Sequence, residues 1–225
     1  MGAMNELDYM VQKFGEPDGK GKVDVSNCNR TMLAETLHEL GYKVGLELGV
    51  AQGFYSKIIL DKNPQLKRLF LVDIWKVYPG YDCYGHKIKA YEKICKRRLF
   101  PYKEKIRYIK KMSMDAVKKF PDGSLDFIFI DAAHDFRHIA EDIAEWTPKV
   151  RVGGLVFGHD FKRTAWHNSD VKDVVMAYFY SKKINPWFNF GNGITDPNIG
   201  KDNPCWGFIR QESDILKPPR KVEFV

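Results

Sequence analysis

Four side chains in one short stretch have the types and spacing to do chemistry: Asp131, His134, His159 and Asp160. Carboxylates and imidazoles together suit two kinds of work. An imidazole with a pKa of about 6.5 is a competent general base near neutrality. Two acids and an imidazole also suit a divalent cation, which lowers the pKa of a bound hydroxyl. All four lie within Ser124–Phe161, SLDFIFIDAAHDFRHIAEDIAEWTPKVRVGGLVFGHDF. The apolar run Leu125–Ile130 stops at Asp131, and Gly154–Phe157 stops just before His159 and Asp160. Between the runs, Ile139, Ile143 and Trp146 recur at helical spacing. Short continuous apolar runs joined by a helical stretch form buried parallel strands in a βαβ unit. The carboxyl ends of such strands face one crevice, where ligands bind. The pattern therefore places two Asp and two His on the lip of one pocket. A plainer role for His134 is a cap at the start of the Asp135–Trp146 helix. Asp135 and His138 read as solvated helix residues. His38, His86 and His167 carry no comparable signal.

A second constellation is Glu47-Leu-Gly49-Val-Ala-Gln-Gly53, at a strand-to-helix turn. Glycines there let the backbone approach a ligand, and the helix N-terminus behind them is electropositive. A dinucleotide site wants G-x-G-x-x-G, whose middle glycine admits the pyrophosphate. Val50 and Ala51 stand where that glycine is needed, so a cofactor without a pyrophosphate fits better. Asp73 ends the next strand, about 20 residues on, where a carboxylate can take both ribose hydroxyls. The competing reading is an ordinary strand–turn–helix with a capping Asp.

The rest of the chain positions these groups. Its 225 residues suit one domain with one core, and 44% hydrophobic with 14% aromatic residues is a folded composition. No apolar run approaches the roughly 18–20 residues of a membrane span, and no apolar core of a secretory signal is present. Four scattered cysteines form no C-x-x-C pair, so reduced thiols in a cytoplasm are expected. A net charge of +7 admits phosphorylated or nucleic-acid partners, although a soluble basic surface is the plainer reading. Met1–Met4 reads as a cloning remnant, residues 1–24 as an N-terminal arm or lid, 25–216 as the domain, and 217–225 as an exposed tail. Within the domain we expect a helix over Arg30–Leu40, capped by Asn27 or Asn29, with Met32, Leu33, Leu37 and Leu40 on one face. Strand Lys43–Leu48, helix Phe54–Asp61 and strand Arg68–Val72 follow. Next come a basic helix Lys87–Leu99, strand Lys105–Ile109 and a short helix from Ser113 to Phe120. After the central stretch we expect a helix Val171–Lys182 with Ser169 as cap candidate, then strands Trp187–Phe190 and Cys205–Arg210. This order gives an α/β fold: a Rossmann-like doubly wound sheet, mostly parallel, of seven strands with one antiparallel strand near the C-terminus.

At this point a family resemblance can be stated. Residues 43–161 resemble the core of a class I S-adenosylmethionine-dependent methyltransferase. LELGVAQGFYS resembles its first motif, LFLVDIW its second, and KKMSMDAV the segment beside the adenine. SLDFIFIDAAHDF and GGLVFGHDF resemble the paired strands of the small-molecule O-methyltransferases of the catechol and macrocin type. The resemblance implies roles by position. Gly49 and Gly53 admit the methionine part of S-adenosylmethionine, and Glu47 hydrogen-bonds that end. Ser56 reaches its carboxylate, with Tyr55 competing because the spacing is one residue longer than in the catechol enzymes. Asp73 takes the ribose, Ser113 and Met114 lie beside the base, and Trp75 packs on the adenosine or anchors a lid. Asp131 faces both cofactor and acceptor. His134 stands where the catechol enzymes carry a catalytic lysine, and is the expected base with Asp131.

The metal-dependent relatives hold Mg²⁺ at positions matching Asp131, His159 and Asp160. His159 departs from that pattern, because Mg²⁺ prefers oxygen while imidazole suits Mn and other ions, which leaves three readings open: another divalent ion, Mg²⁺ held through the two Asp and waters, or a metal-free site. The expected acceptor is a small polar molecule, sugar-like or polyketide-like, met by the loops Trp75–His86, Lys162–Asn168 and Asn192–Asn203. Two alternatives remain at this level: an RNA methyltransferase using the basic helix, and a nicotinamide-dependent oxidoreductase. A homo-oligomer stays open, and no membrane partner is expected.

Overall fold

The computed structural model describes residues 4–78, 87–163, 169–191, 195–196 and 200–214. Eight strands make one sheet. In spatial order they are β1 (Lys22–Val25), β7 (Trp187–Phe190), β10 (Cys205–Ile209), β6 (Val150–Gly158), β5 (Leu125–Ile130), β2 (Val44–Leu48), β3 (Arg68–Asp73) and β4 (Ile106–Lys110). Only β10 runs antiparallel to its neighbours in this sheet. A two-residue pair, β8 (Thr195–Asp196) with β9 (Gly200–Lys201), lies in the β7–β10 connection.

The side-chain period of two divides the central strands between two cores. Phe127 and Phe129 of β5 join Leu69, Leu71 and Phe157 on one face, under helices α1 (Glu6–Phe14), α2 (Arg30–Glu39), α3 (Phe54–Lys62) and α4 (Ile88–Arg98). Ile128 and Ile130 join Leu46, Leu48 and Val156 on the other, under α5 (Ser113–Ala116), α6 (Phe136–Trp146) and α7 (Val171–Lys182). Close packing is severe at the centre: a Cβ on Gly45 would lie 2.0 Å from the Phe127 ring.

The sheet has eight strands where the sequence suggests seven, because the N-terminal segment is not a loose arm. Asn5 caps α1 by accepting from the Asp8 N–H, and α1 buries Met10 completely. Phe14 meets Phe188 and Phe190 edge-on. Val23 and Val25 are buried in β1, which pairs with β7. Two apolar residues in KVDV are too short an alternation to stand out among charges and glycines.

Smaller differences concern ends and faces. Asn29, not Asn27, caps α2, and Met32 is on its exposed edge. Ser169 does not cap α7; Asp170 precedes it, and its carboxylate accepts from the Phe136 N–H instead. On the basic helix α4, Lys96 pairs with Glu92, which also meets Lys110 of β4, and Arg98 lies over Phe54. Among the described residues, no helix is long and apolar enough to cross a membrane. The expected loop residues 79–86, 164–168, 192–194 and 197–199, and the tail 217–225, lie outside the described residues.

Candidate functional site

The carboxyl ends of β2, β3 and β5 open onto one cleft. Gly49 lines it at φ 87°, and its N–H donates to Val72 O. Asp73 also lines it. Its Oδ2 accepts from the N–H groups of Val50 (3.0 Å) and Ala51 (2.9 Å), and its Oδ1 from Trp75 N–H (2.7 Å). Burial raises the Asp73 pKa, and these three donors oppose the rise. Asp73 therefore fixes the glycine loop from the ligand side.

At the far end Ser113 lines the cleft with Met112 and Asp142. Ser113 Oγ donates to Asp142 and accepts from Trp146 Nε1 at 2.7 Å. Burial pushes the Asp142 carboxyl up to about 7. Tyr78 and Lys111 complete that end.

Several expected cofactor contacts are placed elsewhere. Trp75 is 2 % exposed; its Nε1 donates to Ala51 O (2.8 Å) and its ring meets Tyr108, so it anchors the loop and does not line the cleft. Met114 packs in the second core, and Met112 takes the place beside Ser113. Gly53 caps α3 at φ 71°, and a Cβ there would lie 2.9 Å from Cys95 Sγ. Its glycine character is thus required by the left-handed backbone and by α4 packing. Ser56 is fully buried and donates to Glu47.

Glu47 sits beneath the cleft, 2 % exposed. Burial pushes its pKa up to about 8; the Ser56 hydrogen bond opposes this and the Asp131 charge adds to it. An unfolded glutamate ionises near pH 4.3 (~4.3). Between that pH and about 8 the folded chain holds a proton that the unfolded chain has released, so stability falls as pH rises through this window. Glu47→Gln keeps an acceptor for Ser56 and cannot ionise. Denaturant unfolding at pH about 5 and about 8 should therefore show wild type losing stability relative to the variant, by at most ~1.4 kcal/mol per pH unit. An equal pH response in both proteins would refute this reading of Glu47.

The acid and imidazole groups meet at the other side of Asp131, which lines the cleft and stands at the end of β5. Ligand atoms of Asp131, His134 and Asp160 lie within 4.8 Å of one another. His134 Nε2 is 3.1 Å from Asp160 Oδ2 and 3.8 Å from Asp131 Oδ1. Asp131, and then Asp160, raise the His134 pKa against the opposing effect of burial. His134 lies in the turn before α6 and is not its cap; Asp135 is, accepting from His138 N–H.

His159 is built differently from the expected metal ligand. Its Nε2 is 2.8 Å from Asp202 Oδ1, and its Nδ1 is 3.3 Å from Asp160 Oδ1. The Asp131, Asp160 and Asp202 carboxylates push its pKa up to about 10 despite burial. Both ring nitrogens of His159 thus face carboxylates, while the atoms that converge within 4.8 Å are those of Asp131, His134 and Asp160. The sequence analysis missed Arg30 and Asp202. Arg30 donates to Asp202 through Nε (2.5 Å) and Nη2 (2.9 Å).

Residues 46–161 match the family model of a methyltransferase domain. The chain belongs to that family. No curated protein matches the sequence. A putative O-methyltransferase from Klebsiella pneumoniae is 15% identical, with TM-score 0.58 over 94% of this chain and 92% of that one. The O-methyltransferase from Bacillus cereus, solved with SAH, is 14% identical, with TM-score 0.57 over 91% and 90%. A putative caffeoyl-CoA O-methyltransferase from Staphylococcus aureus is 16% identical, with TM-score 0.55 over 91% and 90%. At these identities the likeness is one of fold. The methyltransferase match begins after Arg30 and ends before Asp202.

Proposed function

We propose that this methyltransferase uses S-adenosylmethionine to methylate a hydroxyl oxygen of a small polar acceptor, assisted by a divalent cation. One observation carries the reading: Asp131 lines the cleft at the glycine loop and also belongs to the acid–imidazole cluster. A methyl donor and an activated oxygen would thus meet at one residue. The printed names of the B. cereus and S. aureus structures agree with an oxygen acceptor.

The chain's own residues divide the work. Gly49 leaves room for the cofactor, Asp73 faces the ribose, and Ser113 with Asp142 faces the base. Glu47 lies under the methionine end. The cleft's lining and the triad's donor chemistry fit these groups: two carboxylates and one imidazole suit Mn²⁺ or another borderline ion better than Mg²⁺. When bound, the cofactor supplies an electrophilic methyl, and the cation makes the acceptor hydroxyl easier to deprotonate. Asp131, His134 and Asp160 hold the cation, and orient the acceptor oxygen. Without the cation, His134 is the group placed to take the hydroxyl proton. Three buried unpaired thiols, Cys28, Cys95 and Cys205, agree with a cytoplasmic setting.

The rival readings gain no comparable observation. Two of the α4 cations that an RNA site would use, Lys96 and Arg98, are engaged with Glu92 and Phe54. Calorimetry tests the cofactor: S-adenosylhomocysteine should bind and NADH should not. His134→Ala tests the triad. His134 must lose its proton to bind a cation, and its pKa is raised, so Mn²⁺ affinity should fall as pH drops through neutrality. The variant should lose at least about tenfold in Mn²⁺ affinity and most of that pH response. Full activity in chelator, with no metal found by elemental analysis, would exclude cation assistance.

A further inference from the structure

The triad does not hold its own shape. Asp160 sits at φ 56° just beyond β6. Its Oδ1 accepts from Asn203 Nδ2 and faces His159 Nδ1 at 3.3 Å, which leaves Oδ2 facing His134. The aim of Oδ2 therefore depends on where His159 stands. His159 is fixed in turn by Asp202, at 2.8 Å from its Nε2.

Asp202 also reaches the other carboxylate of the triad. It binds Arg30 through two hydrogen bonds, and Arg30 Nη1 lies 3.9 Å from Asp131 Oδ2. Asp202 further accepts from the Asn203 N–H at 3.0 Å. Four N–H groups on one carboxylate leave it little capacity for an acceptor or a cation. Its side chain is 9% exposed and that of Arg30 is 12% exposed, so solvent screens these contacts weakly. A carboxylate that fixes an imidazole, which then fixes a ligand, is a familiar way of orienting a metal site.

We propose that Asp202 is a positioning residue: it holds His159 and Arg30 so that Asp160 and Asp131 point their free oxygens at one cation. This rests on the cation reading given above. Arg30 opens α2 and Asp202 lies in the β7–β10 connection, both outside the segment that matches the family.

Binding of Mn²⁺ to the full chain, followed by the EPR signal of the free ion, tests this. Asp202→Ala and the isosteric Asp202→Asn should each weaken Mn²⁺ binding by about tenfold or more. S-adenosylhomocysteine affinity should stay within about twofold, since Asp202 does not line that cleft. Asp202→Glu should recover part of the Mn²⁺ affinity. Wild-type Mn²⁺ affinity in the Ala and Asn variants would overturn the proposal. So would equal losses of Mn²⁺ and S-adenosylhomocysteine binding in Asp202→Asn, which mark a merely structural role. Absence of Mn²⁺ binding in wild type would instead defeat the cation reading, and this proposal with it. If Asp202→Ala does not fold, Asp202→Asn decides.

Discussion

Gly49→Ala abolishes S-adenosylhomocysteine binding in calorimetry and destabilises the fold by about 2–5 kcal/mol, the sum of backbone strain and overpacking. An ideal Cβ at Gly49 would lie 1.9 Å from the carbonyl oxygen of Asp131 and 2.5 Å from its carbon. These are backbone atoms on a central strand end, so no flexible side chain can move aside. The φ of 87° adds a conformational cost that a Cβ makes worse. Relief requires β5 to shift at its carboxyl end, which carries Asp131 away from both the cleft and the triad. Gly41→Ala is the control. Gly41 has φ 71° but nothing within 4 Å of its Cβ position. It should cost only the backbone term, about 1–2 kcal/mol, and keep ligand affinity. Wild-type binding by Gly49→Ala would show that the loop is not the cofactor's seat.

Asp73→Ala should weaken S-adenosylhomocysteine binding by about 100-fold or more. The substitution removes the acceptor from three N–H groups at once, those of Val50, Ala51 and Trp75. Each unpaired buried donor costs about 1–3 kcal/mol. Two of these residues are also held in unfavourable backbone: Ala51 has φ 47° and Trp75 φ 42°. The carboxylate is what makes those conformations stable, so its loss should relax the loop as well as remove a ribose partner. Asp73→Asn keeps one acceptor oxygen and should fall between wild type and Asp73→Ala. Trp75 gives a second readout, because its buried indole should become accessible to a fluorescence quencher in Asp73→Ala. Retention of affinity within about threefold would sink the assignment, since one charged hydrogen bond alone is worth more.

The cleft was legible because its signals are local. Phe127 and Ile128 read as one buried run, and they fill two different cores. Gly49, Asp73 and Asp131 end three neighbouring strands, and the strand-end rule alone puts them together. Asp142 could have been read too. It stands three residues after Ile139 and four before Trp146, on the apolar face of α6, where an acid needs a reason. The back of the triad was not legible. Arg30 and Asp202 are 172 residues apart, and no periodicity links them. That separation also concealed the fate of His159: an imidazole beside an acid looks like a ligand until the second acid arrives from another loop. Trp75 misled for a related reason. An aromatic after a ribose acid suggests stacking, but a φ of 42° turns its ring inward onto Tyr108.

The placement of β1 carries a consequence for how the enzyme is made. β1 joins the sheet only through β7, and β7 joins it only through β10. During synthesis the first strand therefore has no sheet to join until β7 and β10 have been made. The wait is long in sequence terms, which slows the closing step. It also orders events, because the helix after β1 begins with Arg30 and the connection before β10 brings Asp202. The central strands can gather their cleft earlier, but the Arg30–Asp202 pair is assembled last. A chain lacking β7 and β10 would then present the strand ends that form the cleft without Asp202 behind Asp160 and His159.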